Sequence, residues 1–439
     1  MNKVLLLGAG LVTRPLVNYL LDKGYQLTIA TRTVSKAVSL VGGHPNGTAL
    51  TLDLTDPEGL DKLIEASDLV ISLVPYTFHV QVAKRCIAMR KDMVTTSYVS
   101  PAMKELDAAA GDAGILILNE IGVDPGIDHM SAMKVINKVQ GEGGRVRGFR
   151  SCTGGLPAPA DNDNPWGYKF SWSPRGVLMA GRNAAKWLEN GELVEVPGED
   201  LFLHHWPLDV QDVGTLESYP NRDSMGYVAL YGLQGVETMF RGTLRYAGWC
   251  VAIKQLVDLG WLGMEERVDL PGKTYAQVMW QLLGQEPGGN LKAAIAGELG
   301  VSPDHDGIDR MAFVGLLGDE IVSHRGVTYL DALCELLERK LAYAPGERDM
   351  LAMVHEFDVV KADGTAQKVT STMVDYGVPN GDSSMSRTVS LPAAIATHMI
   401  LKGDIKMTGV HVPVLSAIYE PVLDELETLD IKVVETWGA

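Results

Sequence analysis

The sequence K-V-L-L-L-G-A-G-L-V-T-R-P at residues 3–15 decides the fold of the amino-terminal part of the chain. Its short apolar run ends at a glycine, as a buried parallel strand does, and the residues after Gly10 have the apolar spacing of a helix. Gly8 permits backbone angles that other residues avoid, and Gly10 lets the main chain approach a ligand closely. Free N–H groups at the start of the helix favour an anion, so the stretch predicts a pyrophosphate site.

The glycine pattern is G-x-G-x-x-T, in which Thr13 stands where the fuller dinucleotide motif has a third small residue. A pair of glycines alone is weak evidence for a nucleotide site. Here the pair follows a strand and opens a helix, which is the context that the motif requires. We therefore predict a dinucleotide site that includes Gly8, Gly10, Leu11, Val12 and Thr13.

The composition limits the classes of protein to which the chain can belong. Its 439 residues suggest roughly two to three domains. Four widely spaced cysteines form no C-x-x-C pair, which argues against a zinc site and a disulfide framework and favours the cytoplasm. The formal net charge of −17 disfavours binding to nucleic acids or anionic membranes. Since we find neither a signal peptide nor a membrane-spanning run, we expect a soluble protein.

The residues after the second predicted strand, at 26–31, indicate which cofactor binds. In dinucleotide folds an acidic residue at this point accepts a hydrogen bond from the ribose 2′-hydroxyl of NAD. The sequence here is T-R-T-V-S-K at 31–36, which has no carboxylate. Arg32 with Thr33 suits a 2′-phosphate, so we predict NADP rather than NAD. The structural alternative is that Arg32 is a solvated charge and Thr33 a helix N-cap.

Strand and helix patterns alternate through the first 120 residues. Further strands are predicted at 48–53, 69–73, 92–96 and 115–119, with helices at 57–66, 79–89 and 101–113. With the first two, these strands predict a Rossmann-type, doubly wound parallel sheet, whose ligands bind at the carboxyl ends of the strands. The loops after the last three strands, at 73–77, 96–100 and 120–126, are therefore candidate binding loops.

The pattern beyond Gly126 predicts a second α/β domain with a mixed sheet. Its predicted elements are helices at 127–139 and 175–188 and strands at 145–152 and 192–197. From 250 to 344 apolar residues recur at helical spacing, which predicts an all-helical insertion. A hairpin follows at 350–375 with an Asp-Gly turn at its tip, and then a helix at 392–401 and a final helix and strand.

Longer blocks of sequence, in order over nearly the whole chain, are more specific than the glycine motif. They are G-A-G-L-V-T-R-P at 8–15, I-S-L-V-P-Y-T-F-H at 71–79, T-T-S-Y-V-S-P-A-M at 95–103, N-E-I-G-V-D-P-G-I-D-H at 119–129, G-G-L-P-A-P at 154–159, D-N-P-W-G-Y-K-F-S-W-S at 163–173, Y-P-N-R-D-S at 219–224, R-G-T-L-R-Y at 241–246 and G-E-R-D at 346–349. Together they resemble the saccharopine reductase family, the NADP-dependent, glutamate-forming saccharopine dehydrogenases. The segments 201–218 and 262–325 carry no such block.

The resemblance implies a fold in three parts. These are a dinucleotide-binding domain at 1–123 that 391–439 completes, a substrate domain at 124–249 and 345–390 that also dimerises, and the helical insertion at 250–344. It implies NADP(H)-dependent interconversion of saccharopine with L-glutamate and L-2-aminoadipate 6-semialdehyde, a reaction of lysine metabolism. We therefore expect a cytoplasmic homodimer that acts on a small amino-acid substrate.

The resemblance also implies which residues form the site. The cofactor-binding residues would be Gly10, Leu11, Val12, Thr13, Arg32, Thr33, Asp53, Leu54, Val74, Thr95, Thr96 and Ser97. The substrate-binding residues would be Ser97, Tyr98, Asp124, Arg222, Thr243, Leu244 and Arg245.

A substrate with three carboxylates needs planar, bidentate cations. Arg222 and Arg245 are the best candidates, ahead of Arg241, and the alternative is that they form surface ion pairs with acids such as Asp223 and Glu237.

Two residues are candidates for the chemical step. Tyr98 could donate a phenolic hydrogen bond, and Asp124 could hold the amine, although its Asp-Pro-Gly sequence is also an ordinary turn. His79 and His129 are tempting bases, yet a single histidine at a helix start more often caps or packs. Cys152 could line the pocket, but nothing marks it as a nucleophile. We predict no metal site.

The segment 168–172 could close over the substrate or pack between domains. Two other functions remain open. One is a carboxyspermidine-type or opine-type dehydrogenase that keeps the hydride chemistry with another amine. The other is an NADP-binding sensor or assembly protein without turnover.

Overall fold

The computed structural model describes residues 2–438 and divides the chain into two compact units. The first unit runs up to Arg145 and includes Met373–Val434. The second unit comprises Val146–Thr372 and the residues from Glu435 onward. None of the helices in this described part is long and apolar enough to cross a membrane.

The first unit alternates strands and helices and ends in two helices that flank a short strand. Its strands are β1 (Lys3–Leu7), β2 (Gln26–Thr31), β3 (Gly47–Thr51), β4 (Leu69–Ser72), β5 (Asp92–Val94), β6 (Leu116–Leu118) and β15 (Gly409–His411). Its helices are α1 (Arg14–Asp22), α2 (Val34–Val41), α3 (Pro57–Glu65), α4 (His79–Met89), α5 (Pro101–Lys104), α6 (Asp107–Ala113), α7 (Ile127–Gly141), α15 (Ser384–Lys402) and α16 (Ser416–Thr428).

The strands of the first unit form one parallel sheet in the order β15-β6-β5-β4-β1-β2-β3. The strand order reverses between β1 and β4, and this reversal creates the crevice in which ligands bind in doubly wound folds. The predicted Rossmann-type sheet is therefore confirmed. The strand β15 extends the six predicted strands at the edge beside β6.

The central strands of this sheet are buried because helices cover both of its faces. Leu5 and Leu7 of β1 belong to a core cluster with side chains of α3, α4 and α6. Leu16, Leu20 and Leu21 of α1 are buried, as their spacing predicts, and α1 packs against α15. Burial on both faces explains why β1 and β4 are continuous apolar runs rather than alternating ones.

The second unit combines long strands with a series of helices. Its strands are β7 (Arg145–Pro157), β8 (Ala185–Glu189), β9 (Glu192–Val196), β10 (Trp206–Val210), β11 (Gly214–Pro220), β12 (Thr238–Arg245), β13 (Asp349–Val360), β14 (Ala366–Tyr376) and β16 (Val434–Trp437). Its helices are α8 (Pro174–Ala180), α9 (Gly226–Leu230), α10 (Trp249–Asp258), α11 (Tyr275–Leu282), α12 (Leu291–Leu299), α13 (Asp306–Val314) and α14 (Tyr329–Lys340). The bounds of β7, β14 and β16 pass the division between the units, β7 and β16 by their first residue and β14 by its last four.

These strands form a mixed sheet in the order β10-β11-β12-β7-β13-β14-β16, from which β8 and β9 branch at β12. The strand β12 is parallel to β7 and antiparallel to β11, which places the main chain of Thr243 between Thr153 and Tyr219. The predicted mixed sheet is thus confirmed.

The structure corrects three predicted helices. The helix predicted at 175–188 is wrong in its second half, because a turn at 181–183 ends α8 and residues 185–189 form β8. The helix predicted at 101–113 is divided into α5 and α6. The helix predicted to start at Pro392 starts at Ser384, where Ser383 caps it by accepting from Ser386 N–H, and Pro392 lies inside it.

Candidate active site

The main chain after β1 approaches the main chain after β4 closely, at the point where the strand order reverses, and this approach fixes the turn after β1. Gly8 has a φ of 111° and donates its N–H to Ala30 O at 3.0 Å. A Cβ atom on Gly8 would lie 2.5 Å from the carbonyl oxygen of Leu73. Both the backbone angle and the lack of space therefore require glycine at this position.

Thr13 has a structural role that explains the departure from the three-glycine motif. Its side chain is fully buried, and its Oγ1 donates to Gly10 O at 2.7 Å. The Thr13 hydroxyl thus stabilises the turn by a hydrogen bond. In the three-glycine motif, a small residue at this position instead allows the helix and the strand to pack closely. Gly10 itself is exposed, and only Thr13 Oγ1, 4.0 Å away, is near the position of an added Cβ. The exposed turn at the start of α1 fits a pyrophosphate.

The end of β2 presents a cation where NAD-binding folds present an acid. Arg32 and Thr33 are exposed, as a residue that meets a 2′-phosphate must be. Asp53 is exposed after β3, and the N–H and hydroxyl of Thr55 donate to it at 2.9 and 2.8 Å. These hydrogen bonds, with a smaller contribution from Arg32, hold the pKa of Asp53 below its ordinary value. Leu54 and Val74 are half-buried in the neighbouring loops.

A chain of hydrogen bonds joins the ends of β4 and β5. Ser72 is the last residue of β4, and its Oγ lies 2.9 Å from His79 Nδ1. The other ring nitrogen, Nε2, lies 2.8 Å from Ser97 Oγ. Burial lowers the pKa of His79 to about 4, so the imidazole is neutral at neutral pH. Of the neighbouring predicted residues, Thr95 is buried and Thr96 is half-buried.

The two residues predicted for the chemical step contact each other. Tyr98 donates its phenolic hydroxyl to Asp124 Oδ1 at 2.9 Å, and both side chains are half-buried. They follow β5 and β6, so the predicted loops at 96–100 and 120–126 do meet at the carboxyl edge of the sheet. A phenol that donates to a carboxylate forms a pair suited to holding a protonated amine.

A buried hydrogen bond between Glu120 and His129 supports the same loops from within the first unit. Glu120 accepts the N–H of Val99 at 2.8 Å on Oε1 and contacts His129 Nε2 at 2.7 Å on Oε2. His129 is fully buried at the start of α7, which agrees with the packing alternative rather than with an exposed base. Glu120 has a φ of 57°, an uncommon angle for glutamate that its two side-chain contacts hold in place.

The second unit buries a guanidinium group that forms no ion pair with any residue from 2 to 438. Arg245 is 4% exposed, and its Nη1 donates to Leu244 O at 2.7 Å. Within residues 2–438 its Nε has no hydrogen-bond partner, and neither do the Tyr168 hydroxyl and Trp249 Nε1. The guanidinium carbon lies 4.9 Å from the Tyr168 ring centre and 5.3 Å from that of Trp249. These unpaired donors around a buried cation fit an anionic ligand such as a carboxylate.

The other residues predicted to bind substrate differ in exposure. Arg222 is exposed in a loop after β11 and has a φ of 56°. Thr243 is half-buried on β12, whereas the Leu244 side chain is fully buried. Any contact of Leu244 with a ligand is therefore limited to its main chain. Arg241 is buried and donates to the Tyr227 hydroxyl at 2.6 Å.

Three potential metal ligands lie at the start of helix α10, which Glu217 caps. Ligand atoms of His205, Glu217 and Cys250 lie within 4.8 Å of one another. The carboxylate of Glu217 already accepts the N–H groups of Gly248 and Cys250, at 2.6 and 3.1 Å. Burial and the nearby Glu217 carboxylate raise the pKa of the Cys250 thiol, which opposes the thiolate form that metals prefer. The absence of a metal stays a prediction.

Several residues that build these clusters carry no recognisable signal in the sequence. Ser72 and Glu120 lie inside quoted sequence blocks, yet neither shows a pattern that predicts its partner. Trp249, the first residue of α10, lies outside the quoted blocks. Cys152, which we considered as a pocket residue, is buried with its Sγ 3.1 Å from Ser218 Oγ. Three-dimensional contact, rather than spacing, identifies these residues.

Comparison with known protein families decides the identity of the fold. The saccharopine dehydrogenase NADP binding domain matches residues 4–118, and the saccharopine dehydrogenase C-terminal domain matches residues 122–431. The chain belongs to the saccharopine dehydrogenase family. The family predicted from the sequence blocks and the predicted NADP cofactor are thereby confirmed, and the chain is an NADP-dependent oxidoreductase of this family.

Individual relatives agree with this assignment. A saccharopine dehydrogenase [NADP(+), L-glutamate-forming] of Saccharomyces cerevisiae is 43% identical over 435 residues, which are 97% of each chain. The protein of that name from Pyricularia oryzae is 41% identical over 435 residues, 97% of this chain and 96% of the relative. The mouse alpha-aminoadipic semialdehyde synthase, a mitochondrial protein, is 40% identical over 97% of this chain and 47% of its own length.

A solved structure confirms the fold. The apo, histidine-tagged saccharopine dehydrogenase (L-Glu forming) from Saccharomyces cerevisiae has a TM-score of 0.91 with this chain, at 40% identity. The similarity covers 100% of both chains. The family fold therefore extends over the segments 201–218 and 262–325, in which we found no characteristic block.

Substitution of the two glycines should separate folding from ligand binding. Gly8→Ala forces a Cβ against Leu73 O at a positive φ, so we expect it to destabilise the first unit by about 2 kcal/mol. Gly10→Ala meets no crowding and should leave the unfolding midpoint unchanged while it weakens NADPH binding about tenfold, because the added methyl group blocks close approach. Urea unfolding and NADPH fluorescence titration measure the two effects. Equal losses of stability in both variants would contradict this assignment.

Proposed function

We propose that this chain interconverts saccharopine with L-glutamate and L-2-aminoadipate 6-semialdehyde, with NADP(H) as the redox cofactor. The observation that carries the proposal is the buried Arg245 guanidinium, which is surrounded by unpaired donors and lacks a carboxylate partner among the described residues. Burying an unpaired charge is costly, so such an arrangement is favoured where an anionic ligand completes it. Saccharopine carries three carboxylates, and the relatives named above support this choice of anion.

Arg245 and Arg222 have different tasks in this proposal. Arg245 binds one carboxylate of the substrate within its aromatic surroundings, where low polarity strengthens a charge-assisted hydrogen bond. Arg222, which is exposed, attracts a second carboxylate of the substrate and fixes its position when the substrate binds. Thr243 lies two residues before Arg245 on the same face of β12 and adds a hydroxyl.

Tyr98 and Asp124 hold the reacting amine. When bound, NADPH supplies the hydride that reduces the imine carbon formed by glutamate and the aldehyde. The Asp124 carboxylate, which accepts the Tyr98 hydroxyl, stabilises the positive charge on the substrate nitrogen. The phenol is within one hydrogen bond of that carboxylate, so the pair can hold or transfer the proton that the nitrogen gains or loses.

The first unit binds the cofactor through its strand ends. Gly8, Gly10, Leu11, Val12 and Thr13 form the turn that receives the pyrophosphate. The 2′-phosphate is bound by Arg32 and Thr33, and the remaining predicted contacts are Asp53, Leu54, Val74, Thr95, Thr96 and Ser97. All of them lie at or just after the carboxyl ends of strands in the parallel sheet.

The alternatives are less well supported by the same residues. A diamine substrate is positively charged and would be repelled by the Arg245 cluster, which disfavours a carboxyspermidine-type dehydrogenase. Opine-type substrates carry carboxylates and differ in their aldehyde or keto partner. A sensor without turnover needs neither the Tyr98–Asp124 pair nor a buried cation in a second unit. Turnover of saccharopine against an opine distinguishes the two enzymes.

We also propose that the protein is a cytoplasmic homodimer. The resemblance to the family supports the dimer, and the four free cysteines suit a reducing compartment. Light scattering of the purified protein should therefore give about twice the 47.5 kDa of one chain. A mass of one chain at micromolar concentration would contradict the dimer.

Substitution of Arg245 tests the substrate proposal. Purified protein with saccharopine and NADP should produce the absorbance of reduced cofactor. In Arg245→Met, kcat/KM for saccharopine should fall about 100-fold with little change in the KM for NADP. Because Arg245 has no counterion within residues 2–438 and burial of its charge is costly, the same variant should have an unfolding midpoint at or above that of the unaltered protein. The matched control, Arg339→Met, removes an exposed arginine of the second unit and should change neither quantity. Retained activity on saccharopine in Arg245→Met would contradict the assignment.

Substitution of Arg32 tests the cofactor assignment. Arg32→Asp removes the cation for the 2′-phosphate and supplies an acceptor for a ribose hydroxyl. We expect the ratio of kcat/KM for NADP over that for NAD to fall by about 100-fold. Lys36→Asp makes a similar change of charge one turn further along and serves as a control, with a smaller expected effect. An unchanged ratio in Arg32→Asp would show that Arg32 does not contact the 2′-phosphate.

A further inference from the structure

The hydrogen-bond chain from Ser72 through His79 to Ser97 includes two side chains, Ser72 and His79, that the proposed function does not use. His79 is 4% exposed and Ser72 is fully buried, so water does not compete for either side chain. His79 begins helix α4, and its ring spans the space between the end of β4 and the loop after β5. It is the side chain that links these two strand ends through hydroxyl groups.

Ser97 has a main chain and a hydroxyl that are held by different partners. Its N–H faces Thr95 Oγ1 at 3.4 Å, and its carbonyl accepts the N–H of Glu120 at 3.2 Å. Its hydroxyl contacts His79 Nε2. The loop thus fixes where Ser97 lies, whereas His79 fixes the direction of its hydroxyl.

The protonation state of His79 determines which hydrogen bonds the Ser97 hydroxyl can form. A neutral imidazole donates from one ring nitrogen and accepts at the other, so one serine must donate to His79 and the other must accept. A hydroxyl group can donate once and accept twice. Ser97 therefore uses one part of this capacity on His79 and keeps the rest, in a fixed direction, for a ligand.

We propose that His79 is a positioning residue that directs the Ser97 hydroxyl toward the nicotinamide half of the cofactor. This inference rests on the proposed function, in which Ser97 binds cofactor and substrate. The position of Ser97 supports the choice of ligand, since β4 and β5 belong to the half of a doubly wound sheet that binds the second nucleotide. The carboxamide and ribose hydroxyls of that half are the groups that a serine hydroxyl can bind.

If His79 acts through Ser97, the effect of replacing His79 depends on the Ser97 hydroxyl. If His79 has only a structural role, the effect is the same with and without that hydroxyl. His79→Leu removes both hydrogen bonds at similar volume and should weaken NADPH binding about tenfold when Ser97 is present. In a Ser97→Ala background the same change should have an effect of less than about twofold, because the hydroxyl that His79 directs is gone. Fluorescence titration with NADPH alone measures all four proteins.

A matched control and a second variant complete the experiment. His398→Leu removes another histidine of the first unit that bonds a hydroxyl, that of Tyr25 at 2.8 Å, and should leave NADPH affinity within about twofold. His79→Gln keeps a side-chain amide that can reach Ser97 and should restore most of the affinity. If His79→Leu does not fold, His79→Asn, which is too short to reach Ser97, replaces it in the cycle.

The outcomes separate this inference from the proposed function. Equal losses of NADPH affinity from His79→Leu with and without the Ser97 hydroxyl would overturn the positioning role. So would a His79→Gln variant that is as weak as the leucine variant. Absence of saccharopine turnover in the unaltered protein would contradict the proposed function, while the NADPH cycle would still decide the role of His79.

Discussion

The close approach of the β1 turn to the main chain after β4 is the constraint on which the first unit depends. Gly8 sits where a side chain would collide with Leu73 O, and its positive φ turns the chain toward helix α1. Thr13 closes the other side of the turn through its bond to Gly10 O. The turn before α1 is thus held by contacts within the protein, and its exposed residues Gly10 and Leu11 leave room for a phosphate at the start of the helix.

Buried polar groups give the two units different chemical characters. In the first unit, His79 and His129 are both buried, and each is joined to a loop at the carboxyl edge of the sheet, through Ser97 and through Glu120. These contacts restrain the loops before a ligand arrives, and restraint of this kind reduces the entropy cost of binding. In the second unit, Arg245 lacks a counterion among the residues that the structure describes, so binding an anion there recovers a cost that folding incurred.

The sequence predicted most of the parallel sheet because its strands are apolar runs bounded by glycine, proline or polar turns. It also predicted the helix His79–Met89 with its observed bounds. It failed at 185–189, where Trp187 and Leu188 fit a helical pattern but pair as a strand, and at Pro392, where burial against α1 keeps a proline inside a helix. Among site residues, the sequence predicted Tyr98 and Asp124 individually but not the hydrogen bond between them. The Arg245 cluster and the Ser72–His79–Ser97 chain could not be predicted, because each depends on contacts between distant segments of the chain.

A crystal structure of the protein with NADPH tests the central claim, that the turn at 8–13 is a preformed anion site, most directly. The account predicts the pyrophosphate against the N–H groups at the start of α1, the 2′-phosphate beside Arg32, and a Gly8 φ that is unchanged from 111°. A pyrophosphate bound elsewhere on the sheet edge, or a turn that must rearrange around Gly8 to admit it, would contradict the account.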